Sequence, residues 1–422
     1  MNSFSYQDSK LFCEQVSVED ICKKVDTPFY LYSSNTIVEK YNSLASNLKN
    51  SNVLIAYAVK ASSNIAILRL LAKKGAGADV VSYGELIRAL KAGIPANKIV
   101  YSGVGKKDFE ISKAIEEQIL QFNVESFEEL LSIQKIAKEK NMRANIAIRI
   151  NPDIEAGGHP KISTGKKTDK FGISEKEALK AYIYAMQLPN IKIVGVDMHI
   201  GSQILKIKPF RSSFKKIEKF CTKLESKNIK IKNIDLGGGI GINYTSSKAL
   251  SIRADYIKLL KEMSFRTKKK IIVEPGRFLS ADSGILVTKV LYKKQNEKKN
   301  FLIIDAGMND FIRPALYEAS HNVEQVVKRS KNIDKEAYDI VGPICETADV
   351  MLEEATFDTV VNVNDYLYID KVGAYGSAMA STYNSRNLVP EILVYKKKYS
   401  FIRRVMTANE FLKLEEIPEW LK

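Results

Sequence analysis

Apolar residues recur along this chain in two rhythms. Short β-favouring runs occupy residues 53–59 (VLIAYAV), 78–81 (ADVV), 98–101 (KIVY), 119–122 (ILQF) and 145–150 (NIAIRI). Three more follow at 191–198 (IKIVGVDM), 233–236 (NIDL) and 270–273 (KIIV). Between them apolar positions fall at helical spacing, as in Leu86–Leu90, Phe127–Leu130–Leu131–Ile136 and Phe214–Ile217–Phe220–Leu224. Eight strands, each followed by a polar loop or a helix, predict an α/β fold of the closed (β/α)8 type, whose usual size of about 250 residues suits the span 36–275. Doubly wound sheets also alternate, usually with fewer strands. The barrel domain is expected to cover residues 33–280.

The pattern differs on either side of that span. Residues 1–32 begin with mixed polar sequence and end in a strand, Pro28–Tyr32. Ser33, Ser34 and Asn35 then offer a cap for a helix over 36–48. Beyond Gly284, short strand-like runs at 287–292, 301–304, 338–341, 366–369 and 390–395 alternate with turn signals. A second, β-rich domain is predicted from residues 281–422, with residues 1–32 joining it. The stretch from Asn151 to Lys170 is a long loop rich in Gly, Lys and Thr, the kind that is functional or mobile.

Composition narrows the class. A chain of 422 residues suits two domains, and 45% hydrophobic with 27% charged residues are globular values. No apolar run reaches the ~18 residues of a membrane span, and the first residues lack the pattern of a signal peptide. Four cysteines without a CxxC pair point to reduced thiols and a cytoplasmic setting. His159, His199 and His321 are too scattered for a zinc motif, so no metal is expected. The net charge of +16 raises nucleic acid as a partner. The lysines, however, sit in short clusters such as Lys268–Lys270 and Lys396–Lys398, with neither an aromatic–basic interleave nor a helix-turn-helix pattern. A solvated surface is the expected reading, with neither nucleic acid nor membrane as a partner.

Active sites of such barrels lie at the carboxyl ends of the strands. The first run ends in Lys60. An isolated ammonium there would cost on the order of several kcal/mol, so it must reach solvent, pair with a carboxylate, or be kept for chemistry as an amine nucleophile. The second leads into Asp79 and Ser82–Glu85. The sixth ends Asp197-Met198-His199-Ile200-Gly201-Ser202-Gln203, and the seventh runs into Gly237-Gly238-Gly239-Ile240-Gly241. The eighth ends Glu274-Pro275-Gly276-Arg277. The triple glycine is either a plain turn or a phosphate cradle of bare backbone N–H groups. His199 is either a satisfied core residue or a flat ring that stacks on a cofactor. Glu274 either pairs with Arg277 or meets a protonated ring nitrogen. A phosphate cradle, an amine and a carboxylate for a pyridinium together describe a site for pyridoxal 5'-phosphate.

The motifs YAVKAS, HIGSQ, GGGIG and EPGRF resemble those of the pyridoxal-phosphate decarboxylases and racemases with an alanine-racemase-type fold. DAGMNDFIRPALY (305–317), GPICETAD (342–349) and GAYGSAMASTYNSR (373–386) resemble, more narrowly, the diaminopimelate decarboxylases. The likeness runs from about residue 28 to about residue 395 with the motifs in family order. It implies that Lys60 carries the cofactor as a Schiff base and that His199 stacks on its ring. Ser202, Gly238, Gly239 and the segment Glu274-Pro275-Gly276-Arg277 would hold phosphate and pyridine, with Tyr375 closing the phosphate side. Arg277, Arg313, Tyr317, Glu346 and Tyr375 would contact substrate. Cys345 would reprotonate the α-carbon after carbon dioxide leaves, reaching the site from the partner subunit of a head-to-tail homodimer. Ser62, Ala348 and Thr382 depart from the usual family residues at positions without an assigned role.

The residues themselves suit such a substrate. Diaminopimelate carries an amino acid group at each end, so its site needs a distal cation and a distal anion. Arg277 and Arg313 can take a carboxylate by paired bonds, and Glu346 an ammonium. A site built for a diamine precursor would need only the acid, and losing such a polar contact costs on the order of 2–4 kcal/mol. The expected reaction is decarboxylation of meso-2,6-diaminopimelate to L-lysine. The alternatives are a decarboxylase of ornithine, arginine or a carboxylated polyamine, and a non-catalytic cofactor-binding regulator.

Overall fold

The computed structural model describes residues 3–155, 157, 165, 169–244, 252–329 and 336–422. They cluster into two compact units. One holds the residues up to Ile37, Tyr244 and the residues from Ser280 onward; the other holds the described residues from Val38 to Asn243 and on to Leu279.

The larger unit is the expected barrel. Strands β1 (Val53–Ala58), β2 (Gly77–Val80), β3 (Ile99–Tyr101), β4 (Gln121–Val124), β5 (Ala144–Arg149), β6 (Ile191–Asp197), β7 (Asn233–Asp235) and β8 (Lys270–Val273) close in sequence order. Every neighbouring pair is parallel, and β8 returns to β1. Parallel strands are covered on both faces, which is why they read as near-continuous apolar runs. Helices restart after the strands on local signals. Ser82, Ser126 and Ser174 each accept a hydrogen bond from the N–H of the glutamate three residues on, at 3.2, 3.1 and 3.3 Å. Each such cap is worth about 1 kcal/mol.

Inside the barrel, Ala56, Val100 and Ile272 form an apolar layer. Nearby the filling is polar. Asn233 donates to Gln121 (2.9 Å), Gln121 to Asn123 (2.8 Å), and Asn123 to Ser102 (3.1 Å) and Asp235 (3.2 Å). This ladder explains an offset from the sequence reading. The fourth strand lies at Gln121–Val124 rather than 119–122, because its inward residues are amides satisfied by one another and carry no apolar signal. The first strand likewise stops at Ala58, and Lys60 sits on the 3₁₀ turn Val59–Ala61 that follows.

The other unit is built on a nine-stranded sheet. Its long strand Gly284–Gln295 pairs with Phe29–Ser33, Asn300–Ile304 and Tyr366–Ile369. Phe29–Ser33 pairs in turn with Glu391–Tyr395 in parallel. The expected runs are present. Strands Val350–Thr356, Lys398–Arg403 and Val323–Gln325 are additional, as is an N-terminal meander of Phe4–Gln7, Lys10–Cys13 and Val16–Ser17. Its core packs Leu11, Cys13, Val18, Ile21, Phe29, Leu31, Ile285, Val287, Ile392 and Val394. Most of the 151–170 loop, including His159, lies outside the described residues. No helix among the described residues is long and apolar enough to cross a membrane.

Candidate active site

The barrel rim gathers the residues at the strand ends. Loops extend the parallel ladder beyond β6, β7 and β8: Met198 N–H donates to Asp235 O (3.1 Å), Glu274 N–H to Gly237 O (2.9 Å) and Ile204 N–H to Gly239 O (2.9 Å). Gly238 N–H donates to Nδ1 of His199 (3.0 Å), so that nitrogen is an acceptor and the neutral ring carries its proton on Nε2. Burial first, then the charges of Arg149 and Lys60, hold His199 well below the usual histidine range. At Gly238 a Cβ would stand 2.2 Å from the Glu274 carbonyl oxygen, and at Gly276 one would stand 2.9 Å from the Ala61 methyl. Only glycine lets the triple-glycine turn, the last-strand acid and the Lys60 turn approach so closely.

Lys60 Nζ meets Asp79 Oδ2 at 2.5 Å; the lysine side chain is 39% exposed and the aspartate fully buried. Asp79, Asp197, Asp235 and Glu274 form a buried carboxylate cluster. Glu274 is pushed well above the carboxylate range by burial and then by the charges of Asp235, Asp79 and Asp197. Its Oε1 is buried with no hydrogen-bond partner. Arg149 on β5 answers part of this charge at Asp197 (3.9 Å) and also pairs with Glu125 (2.7 Å). Arg277, also buried, donates to the Ser202 hydroxyl at 3.1 Å.

These residues fit pyridoxal phosphate. A protonated ring nitrogen beside Glu274 would satisfy the orphaned oxygen and offset the repulsion that raises the pKa of that acid. Lys60 would supply the amine, His199 a flat neutral ring, and the glycine turn with Ser202 and Arg277 an edge suited to an anion.

The β-rich unit holds the remaining expected residues, in two groups. Arg313 and Tyr317 are the ends of one short helix, Arg313–Tyr317. Arg313 is buried; its Nη1 donates to the Tyr244 hydroxyl (2.9 Å) and to His321 Nε2 (3.0 Å). Cys345 and Glu346 tip a loop that folds around Asp349, whose carboxylate accepts from the N–H groups of Ile344 (2.7 Å) and Met308 (2.6 Å). Cys345 is exposed, and its N–H donates to Asn384 Oδ1 at 3.1 Å. Tyr383 donates to Glu346 Oε1 at 2.5 Å, and that carboxylate raises the phenol pKa. Tyr375 is partly buried with φ +57. Sequence reasoning gave no role to Arg149, Asp197, Asp235 or His321. Polar residues in the last turns of buried strands were the available signal for the first three. Among the described residues no group of three or more His, Cys, Asp or Glu side chains is arranged to hold a metal ion.

The Asp235 carboxyl is pushed up to about 6, by burial first. The folded chain therefore binds that proton more tightly than the unfolded chain, whose aspartate titrates near ~3.9. Its contribution to stability is full below that value and is lost as pH rises to about 6. Cofactor-free Asp235→Asn protein is expected to lose less melting temperature than the parent between pH 4 and 6.5. Parallel pH dependences would show that Asp235 does not carry this proton.

A lysine, an orphaned acid and a glycine turn at the mouth of a parallel barrel define the class of pyridoxal-phosphate barrel enzymes. Residues 34–281 match the family described as pyridoxal-dependent decarboxylase, pyridoxal binding domain. A diaminopimelate decarboxylase of Haemophilus influenzae is 44% identical over 416 residues, 98% of this chain and 99% of its own length. One of Aquifex aeolicus is 44% identical over 94% of both chains. The crystal structure of the Helicobacter pylori diaminopimelate decarboxylase complexed with L-lysine matches with a TM-score of 0.90 at 42% identity, covering 94% of this chain and 98% of that one. The M. jannaschii enzyme in co-complex with L-lysine matches at 0.94 and 37%, over the whole of both chains. The chain belongs to the diaminopimelate decarboxylase family of pyridoxal-dependent decarboxylases.

Proposed function

We propose that this chain uses Lys60, His199 and Glu274 to hold pyridoxal phosphate and to decarboxylate meso-2,6-diaminopimelate to L-lysine. The observation that carries this reading is the buried, partnerless oxygen of Glu274 in a rim cluster that also holds the Lys60 amine. When bound, pyridoxal phosphate supplies the sink for the electron pair left as carbon dioxide departs. Glu274 holds the proton on the ring nitrogen and so keeps that sink effective. Lys60 secures the cofactor, with Asp79 2.5 Å away to take or return its proton. His199 offers a neutral face, fixed in plane by the Gly238 N–H. Ser202, Gly238, Gly239, Pro275, Gly276 and Arg277 line the cofactor's anionic edge, and Tyr375 closes it.

Arg277 and residues from both groups of the β-rich unit are assigned to the substrate. Arg277 and Arg313 take carboxylate by paired charge-assisted bonds, Glu346 takes the distal ammonium, and Tyr317 also contacts the substrate. Cys345 returns a proton to the α-carbon. The exposure of Cys345 and Glu346 supports a homodimer in which each copy lends this loop to the other's barrel. We place the protein in the cytoplasm, where the thiols stay reduced.

Carbon dioxide release from diaminopimelate, ornithine, arginine and lysine, measured side by side, tests the substrate. Diaminopimelate is expected to lead in kcat/KM by roughly 30- to 1000-fold, the worth of one unmatched buried polar contact. Comparable rates on ornithine or arginine would overturn the assignment.

A further inference from the structure

His321 is a buried histidine with no role in the reading above, yet its two nitrogens are both committed. Nδ1 lies 2.8 Å from the Asp370 backbone carbonyl, which can only accept, so Nδ1 carries the proton. Nε2 lies 3.0 Å from Arg313 Nη1, which can only donate, so Nε2 presents its lone pair. The ring is therefore neutral and of one tautomer. Phe311 and Tyr244 pack edge-on against it, each with ring centres 4.8 Å away, and fix its plane. The anchor behind it is rigid as well. Asn322 N–H donates to the Asp370 carboxylate (3.0 Å), and Asp370 N–H donates back to the Asn322 carbonyl (3.0 Å).

Arg313 is held from two sides. Tyr244 accepts from the same Nη1 (2.9 Å) and lays its ring 4.7 Å from the guanidinium carbon; Lys371 in turn ties the Tyr244 carbonyl at 2.7 Å. Two bonds on one nitrogen and a stacked ring set both the plane and the roll of the guanidinium fork. The identity of the acceptor matters. A carboxylate in the place of the imidazole would orient Arg313 equally well, but it would cancel the charge that must attract a substrate carboxylate. A neutral imidazole orients without cancelling.

We infer that His321 is a positioning residue for substrate recognition: through its unprotonated Nε2 it aims Arg313 at the distal carboxylate of the diamino acid. This rests on the reading of Arg313 as the carboxylate-binding group. The test uses two amides that each copy one nitrogen of the ring. In His321→Gln the side-chain oxygen reaches the place of Nε2 and keeps the acceptor for Arg313. In His321→Asn the amide reaches only the place of Nδ1, so the bond to Asp370 survives and the acceptor for Arg313 is lost. On the cofactor-loaded enzyme, His321→Asn is expected to raise KM for diaminopimelate by roughly 10- to 100-fold with kcat nearly unchanged. His321→Gln is expected to recover most of that loss, and the cofactor's absorption to be unaltered in both. Equal KM values for the two variants overturn the inference. Arg313→Lys separates the two levels. Unchanged KM there overturns the carboxylate reading and the inference with it. Raised KM there, beside wild-type KM in His321→Asn, overturns the inference alone.

Discussion

Replacing Lys60 by alanine is expected to abolish the visible absorption of the cofactor-loaded protein and to lower carbon dioxide release about 10⁴-fold or more, the scale of a lost nucleophile. The lysine leaves its strand on a 3₁₀ turn, in contact with a carboxylate that is itself fully buried. Its loss has two consequences, one chemical and one electrostatic. The chemical one is the missing amine. The electrostatic one is that Asp79 loses its ion-pair partner and Glu274 a nearby cation, which drives Glu274 further toward its protonated form. Lys60→Arg separates them. Arginine keeps the charge and is expected to restore the melting temperature, yet it is not a nucleophile and should restore neither absorption nor turnover. Recovered absorption in either variant would remove Lys60 from its role.

Cys345→Ala should act on a different step. The cofactor's absorption is expected to persist while turnover falls by about 10²–10⁴, the usual worth of a positioned acid or base. The thiol sits at the tip of a loop whose shape is set elsewhere, by the Asp349 carboxylate gathering the N–H groups of Ile344 and Met308. Truncation therefore leaves the loop's scaffold intact. Cys345→Ser, with a poorer proton donor in the same place, is expected to fall between the two. A wild-type rate in Cys345→Ala would end the proposed role for the thiol.

The barrel was legible because parallel strands buried on both faces leave apolar runs that need no tertiary information to find. The sequence reading failed where polar residues fill the interior. Gln121 and Asn123 hide the true position of the fourth strand, since their amides are satisfied by Asn233, Ser102 and Asp235, residues distant in sequence. The N-terminal meander went unseen for a related reason. Its first turn uses Asp8 and Ser9 at positive φ instead of the Asn-Gly that announces a hairpin. At the site, residues at strand ends were readable as chemistry: Lys60, His199, the glycine turn and Glu274. The counter-ions were less so. Arg149, Asp197 and Asp235 are the last residues of their strands, but their meaning comes from charged neighbours around the barrel that are distant in sequence. His321 read as a stray histidine because both of its partners are set by tertiary structure, one of them a main-chain carbonyl.

The amide ladder inside the barrel bears on how this enzyme could be redesigned. Each rung satisfies the next, so an apolar replacement at Gln121, Asn123 or Asn233 strands a donor or acceptor in a dry interior and disturbs the footing of Asp235. Directed evolution toward another diamino acid should therefore collect few changes on the barrel floor. Tolerated diversity should concentrate among the exposed residues around Glu346 and Tyr383, whose polar groups water can satisfy when a partner is lost.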